Sequence, residues 1–231
     1  MSKPSWRFDA VLFDAGGVLV VPNPYRLQQA FAACGFEIEF DLVLRSHYRG
    51  MRAQDAEAEH HDDWEMYHFA LARHCGVPDE HMPRVLDELE RLWNHRLWNH
   101  PKHDTREAMR ELNRRGVPIA VVSNAGGDIE AVLKEVEMCQ VGPGPGAEVL
   151  CVIDSTVVGV RKPDPRIFTY ALDVLGTDPA RTAYIGDSVR NDVAGARAAG
   201  LHPLHLDPYG DHPDAEHETI RSVADILAWF D

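Results

Sequence analysis

The 231-residue chain has four cysteines, Cys34, Cys75, Cys139 and Cys151, scattered along it with no CxxC pair. That spacing excludes a disulfide framework and a zinc knuckle, and the expectation is reduced thiols in a cytoplasm. No run reaches the roughly 18 apolar residues that a membrane span needs, and the opening MSKPSWRFDA lacks the apolar centre of a signal peptide. Positive charge is scarce as well. Twenty-three Lys and Arg face 37 Asp and Glu, for a formal net charge of −14. A nucleic-acid binder carries a basic face and an anionic membrane attracts one, so neither partner is expected. A phosphate-bearing substrate would have to find its positive charge locally, in a few Lys or Arg or in a metal ion.

What remains is an ordinary globular composition, 45% hydrophobic and 26% charged. The length suits one large domain or a core with a modest insertion. Nothing in the sequence specifies an oligomeric state.

Short apolar runs recur at 8–13 (FDAVLF), 117–122 (VPIAVV), 149–153 (VLCVI), 182–186 (TAYIG) and, more weakly, 202–206 (HPLHL). They read as buried parallel strands. Amphipathic segments at 128–138, 165–176, 191–200 and 219–230 follow most of them as expected helices. Alternation at this spacing predicts an α/β fold, an open Rossmann-like parallel sheet with right-handed crossovers. Its site should lie at the carboxyl ends of the strands.

One interval breaks the pattern. Residues 25–100 show helical character and no convincing strand, which suggests an inserted helical subdomain. The expected division is 1–22 with 102–231 as core and 23–101 as insert, with hinges near Val21–Pro24 and His100–His103. The insert contains a pentapeptide repeat, RLWNHRLWNH (91–100), and an EHHDD run (59–63). Five residues do not return to one helix face, so the repeated histidines are poorly spaced for joint metal ligation, and Trp93 and Leu97 read as packing residues. GPGPG (142–146) reads as an irregular loop, because it lacks the strand-to-helix setting of a nucleotide loop.

Polar residues end the strands. The first closes on Asp14, the second on Ser123 and Asn124, and the fourth on Asp187 with Asp192 beyond; Lys162 precedes a helix after the third. In a parallel sheet these ends share one edge. A carboxylate there can attack phosphorus, and carboxylates can hold Mg²⁺. Ser123 and backbone N–H groups can orient phosphate oxygens, and Lys162 adds a compact positive charge. Singly each signal is weak, since a strand-end Asp is more often a turn cap. All four, in order, on separate strands, are strong.

The stretches FDAGGVLV, VVSNAGG, RKPDP and GDSVRNDVAGARAAG resemble the four motifs of the haloacid dehalogenase superfamily, in the subgroup with a helical cap between the first and second motifs. The likeness runs from about residue 8 to 206. It implies Asp14 as nucleophile and Mg²⁺ ligand, the backbone carbonyl of Gly16 as a second ligand, Asp187 as a third and Asp192 as its support, directly or through water. It implies that Ser123 and Lys162 hold the phosphoryl group of a small phosphorylated metabolite, helped by the Asn124 N–H, and that a mobile cap closes over the site. One departure stands out. The family's phosphatases usually carry a second acid where this chain has Gly16. Three readings follow: a Mg²⁺-dependent phosphatase with an unusual leaving group or proton source, a 2-haloacid dehalogenase, whose halide needs no proton, and a non-catalytic module that binds a phosphometabolite or a protein. Retention of Asp187 beside Asp192 favours a metal site over the metal-free dehalogenase chemistry.

Overall fold

The computed structural model describes residues 7–56 and 64–230. The chain forms two compact units, Met1–Val20 with Pro101–Asp231, and Val21–His100.

The larger unit is built on a six-stranded parallel sheet: β1 (Ala10–Phe13), β4 (Ile119–Ser123), β7 (Val152–Asp154), β8 (Thr182–Gly186), β9 (His202–Leu206) and β10 (Thr219–Ile220). The spatial order is β10-β9-β8-β1-β4-β7. Every residue of β1, β4 and β8 is buried, which is why these strands are apolar throughout rather than alternating. Leu12, Ala120, Val122 and Tyr184 share one face and pack on helices α8 (Arg166–Leu175) and α9 (Ala194–Ala198) through Ile167, Phe168, Ala171 and Ala196. The remaining helices of this unit are α5 (His103–Arg114), α6 (Ile129–Glu135) and the single turn α7 (Ser155–Val158). Strand β1 pairs with β4 on one side and β8 on the other. The strand order reverses there, and sheets of this kind carry their sites beyond the carboxyl ends of the strands at such a point.

Two expectations change. The run at 149–153 divides: β6 (Ala147–Val149) leaves to pair with β5 (Cys139–Val141) in a small separate sheet, while Leu150 N–H still bonds the Ile119 carbonyl at 2.9 Å and β7 completes the main sheet. The segment 219–230 is not one helix. Thr219 and Ile220 pair with His205 and Leu206 as β10, the Asp225 carboxylate accepts the N–H groups of Arg221 and Ser222 at 2.9 and 3.0 Å, and a 3₁₀ stretch, Val223–Phe230, follows. Sheet-edge pairing takes the first turn that the helical pattern needed. GPGPG is the loop between β5 and β6, wrapped around the Gln140 side chain, which accepts from the Gly146 N–H at 2.9 Å and donates to the Gly142 carbonyl at 3.1 Å.

The unit Val21–His100 holds helices α1 (Pro24–Ala33), α2 (Phe40–Ala56), α3 (Glu65–His74) and α4 (Met82–Leu92). Asn23 caps α1 by accepting the Tyr25 and Arg26 N–H groups, with Pro24 at the first helical position. Gly50 of α2 lies so close to the Tyr67 ring of α3 that a β-carbon would overlap it. The repeat at 91–100 is consumed by packing: Leu97 is fully buried, and the Trp93 ring meets His68 at 4.5 Å and Tyr67 at 4.9 Å. Two short strands, β2 (Val20–Pro22) and β3 (Trp98–Pro101), pair with each other where no strand was expected. They are too brief to show an alternating pattern. The EHHDD run lies outside the described residues.

Candidate active site

Asp14 is the first residue beyond β1. Its N–H bonds the Ile185 carbonyl of β8 at 2.8 Å, and its Oδ1 accepts the Ala15 N–H at 2.7 Å. The chain then turns sharply: the Leu19 and Val20 N–H groups return to the Ala15 carbonyl, and the Gly17 N–H bonds the Val20 carbonyl at 2.8 Å. Gly17 takes a positive φ of 70°, and a β-carbon on it would occupy the space of the Asp187 carboxylate. Only glycine meets both demands. Gly16, half-buried, bridges to Val20 within the same turn.

From the end of β8 comes Asp187, followed by a wide π-type turn over Val189–Val193. Ser188 organises it: its hydroxyl accepts the Asn191 N–H at 3.0 Å, and its own N–H donates to Asp192 Oδ2 at 2.9 Å. Asp192 is thereby folded back against Gly186, where any β-carbon would clash with it. Such widened turns recur at functional sites. One carboxylate oxygen from each of Asp14, Asp187 and Asp192 falls within a mutual 4.8 Å, all three side chains being buried. No other such His, Cys, Asp and Glu group occurs among the described residues.

Lys162 enters this cluster with its side chain only 2% exposed, Nζ lying 2.7 Å from Asp14 Oδ1 and 2.7 Å from Asp192 Oδ1. Asn124 sets its backbone: the carboxamide donates to the Lys162 carbonyl at 3.0 Å and accepts the Lys162 N–H at 2.8 Å. The Asn124 side chain is therefore spent on this scaffold. Ser123, buried at the end of β4, stands in register with Asp154 of β7. Asp154 in turn fixes the loop after Ser123. Its Oδ2 accepts the N–H groups of Gly127 (2.8 Å) and Ile129 (3.4 Å), and its Oδ1 that of Thr156 (2.9 Å).

Three clustered carboxylates, two of them in contact with the Lys162 ammonium, make an electrostatically incomplete site. Burial pushes Asp14 up to about 7, Lys162 pulling it down and Asp192 and Asp187 adding to the rise. Burial, then Asp192, pushes Asp187 up to about 8. Burial works to lower Lys162, but Asp14 and Asp192 outweigh it and the ammonium is held above its ordinary value. A hard dication fits this set, since all three ligands are carboxylate oxygens and their mutual repulsion is what such an ion relieves.

The structure thus brings Asp14, Asp187, Asp192 and Lys162 into one cluster, with Ser123 closing the neighbouring strand β4 and Asn124 and Gly16 on the turns that follow β4 and β1. Sequence reasoning passed over three neighbours. Tyr184 reads as core within TAYIG, yet its hydroxyl is bonded to both Lys162 and Asp192 at 2.8 Å. Asp154 carried no motif. Lys102, just ahead of α5, has its pKa lowered by burial while Asp104 and Asp187 hold it up, so a second cation acts on the acidic cluster. A lone hydroxyl inside an apolar strand was the one signal available for Tyr184.

Comparison with known proteins bears on the family and the fold. A family model described as a haloacid dehalogenase-like hydrolase matches residues 8–200. A phosphoserine phosphatase of Thermus thermophilus is 32% identical over 162 residues, which cover 70% of this chain and 61% of that protein. A ribulose-1,5-bisphosphate 5-phosphatase of Halopiger xanaduensis is 26% identical over 239 residues, 95% of this chain and 92% of that one. The solved structure of a HAD family hydrolase from Deinococcus radiodurans, with bound phosphate and sodium, aligns with a TM-score of 0.58 at 25% identity, over 96% of this chain and 94% of that one. The chain spans 49% to 62% of the length of four of the curated relatives it matches.

Proposed function

We propose, for a chain that belongs to the haloacid dehalogenase-like hydrolases, that it is a Mg²⁺-dependent phosphatase acting on a small phosphorylated metabolite. The observation that carries this reading is the buried trio of carboxylates around Asp14 with a single lysine in contact. A metal-free dehalogenase would have to hold those three carboxylates against two ammoniums, Lys162 in contact and Lys102 beyond it, an excess of negative charge that disfavours an ionised nucleophile. The phosphatase names of two relatives point the same way.

Asp14, Asp187 and Asp192 would hold the ion, which when bound supplies charge neutralisation for the phosphoryl oxygens. Asp14 attacks phosphorus with one carboxylate oxygen. The bond from phosphorus to the leaving oxygen breaks, and an aspartyl-phosphate forms. Water then attacks that phosphorus, the bond to the Asp14 oxygen breaks, and inorganic phosphate and the free carboxylate are regenerated, the water proton passing to phosphate or solvent. Lys162 balances charge beside the nucleophile, and Ser123 with the Asn124 N–H orients the phosphoryl oxygens. Gly16 offers no proton to the departing oxygen, and a positioned acid is worth roughly 10²–10⁴-fold. The favoured substrates are therefore phosphates whose leaving group departs as a stable anion, acyl or aryl phosphates above simple alkyl esters. The helical unit Val21–His100 is read as the cap that selects among them.

The test is release of inorganic phosphate from p-nitrophenyl phosphate, acetyl phosphate and sugar and nucleoside phosphates, with and without Mg²⁺. Turnover should require Mg²⁺, favour the first two substrates and vanish in Asp14→Asn. Silence across the panel, with chloride released from 2-chloropropionate, would replace this reading with dehalogenation.

A further inference from the structure

An ammonium has three protons to donate, and Lys162 has three protein acceptors. Asp14 Oδ1 and Asp192 Oδ1 each lie at 2.7 Å, and the Tyr184 hydroxyl at 2.8 Å. The phenol has one proton of its own. While it accepts from Lys162 it can donate to Asp192 Oδ1 at 2.8 Å, with the Val122 carbonyl 3.2 Å away as the alternative. Its ring is immobilised. Tyr184 is fully buried on β8 in register with Leu12, and it meets Phe168 edge-on at 4.9 Å and 86°. The hydroxyl is thus a fixed point, whereas the lysine stem is long and flexible.

We propose that Tyr184 is a positioning residue of this site. Its hydroxyl takes the third N–H of Lys162 and locks the ammonium between Asp14 and Asp192, so the cation serves the nucleophile in one geometry. The lysine assigned to phosphate by its motif is, on this account, first a counter-ion whose donors are spoken for inside the protein. Loss of the hydroxyl leaves one buried N–H of Lys162 without its acceptor and the ammonium free to reorient, which weakens the chemical step more than substrate binding. The catalytic consequence rests on the phosphatase reading; the locking of Lys162 does not.

Tyr184→Phe tests it, because the ring and its contact with Phe168 remain. The chain has only four lysines, Lys3, Lys102, Lys134 and Lys162, so the ¹⁵N-ammonium signal of Lys162 can be assigned by its disappearance in Lys162→Arg. In the intact 231-residue chain with Mg²⁺, the wild type should show a slowly exchanging Lys162 ammonium. Tyr184→Phe should exchange at least tenfold faster while its backbone amide spectrum is retained. Steady-state turnover of p-nitrophenyl phosphate should show kcat reduced by roughly tenfold or more, the scale of one hydrogen bond to a charged group, with KM within about twofold. Ammonium exchange that is unchanged in Tyr184→Phe, or kcat and KM that fall only in step with a collapsed amide spectrum, overturns the proposal. A wild type that hydrolyses no phosphate defeats the phosphatase reading instead, and the exchange measurement still decides the role of Tyr184.

Discussion

Two adjacent glycines follow the strand-end aspartate, and they answer to different constraints. Gly17 is set by the backbone and by its neighbour: its φ is 70°, and the Asp187 carboxylate fills the space a side chain would need. Alanine there incurs the strain of a left-handed non-glycine residue and displaces one of the three clustered carboxylates. Gly17→Ala should therefore destabilise the protein by about 2 kcal/mol or more and abolish phosphate release, as read by thermal melting and the phosphate assay together. A variant with wild-type melting and wild-type turnover would show that Asp187 has room to spare. Gly16 is not among the glycines held at positive φ, so the left-handed strain that fixes Gly17 does not apply to it.

Among the elements, β1, β4, β8 and β9 were legible because each is a fully or largely buried apolar run, and only a parallel sheet covered on its faces makes such runs contiguous. Asp14 and Asp187 were legible for the same reason, as polar residues at the ends of apolar runs, and Lys162 as the cation in the RKPDP entry to a helix. What escaped has a physical cause in each case. The three-residue strands β2, β5 and β6 are too short to show any period. Thr219–Ile220 is drawn from its helical pattern by the open edge of β9. Asp154 acts entirely through backbone N–H groups, which no motif records. Its role is testable at this scale. Asp154→Ala removes the acceptor for Gly127, Ile129 and Thr156; Gly127 and Thr156 are exposed and can turn to water, whereas the buried Ile129 N–H left without a partner costs about 1–3 kcal/mol. The loop after Ser123 should then loosen, lowering the melting temperature and raising KM for p-nitrophenyl phosphate more than it lowers kcat. Unchanged KM in a stably folded variant would mean the loop is held by other bonds.

For the whole molecule, the acidic cluster ties folding to pH and to metal. In the folded, metal-free protein Asp14 titrates at about 7 and Asp187 at about 8, both raised first by burial from an ordinary 3.8. Between those values the native state keeps protons that the unfolded chain has released, so stability declines as pH rises. Three histidines act in the opposite direction. Burial lowers His68 and His205 from 6.5 to about 4 and lowers His217 as well, so they remove stability as pH falls through the unfolded value of 6.5, and their effect is nearly spent by about pH 7.5. The interval from pH 7.5 to 8 therefore leaves the carboxylates, Asp187 foremost, as the main contributors, each changing stability by up to about 1.4 kcal/mol per pH unit. A dication that binds their ionised forms stabilises only the native state, and it must displace the retained protons, so its hold strengthens as pH rises. Calorimetry in EDTA should show the melting temperature falling from pH 7.5 to 8. The increment on adding Mg²⁺ should grow over the same interval, and Asp187→Asn should flatten both trends. If the increment stays constant with pH in the wild type, the three aspartates are not the groups that hold the ion.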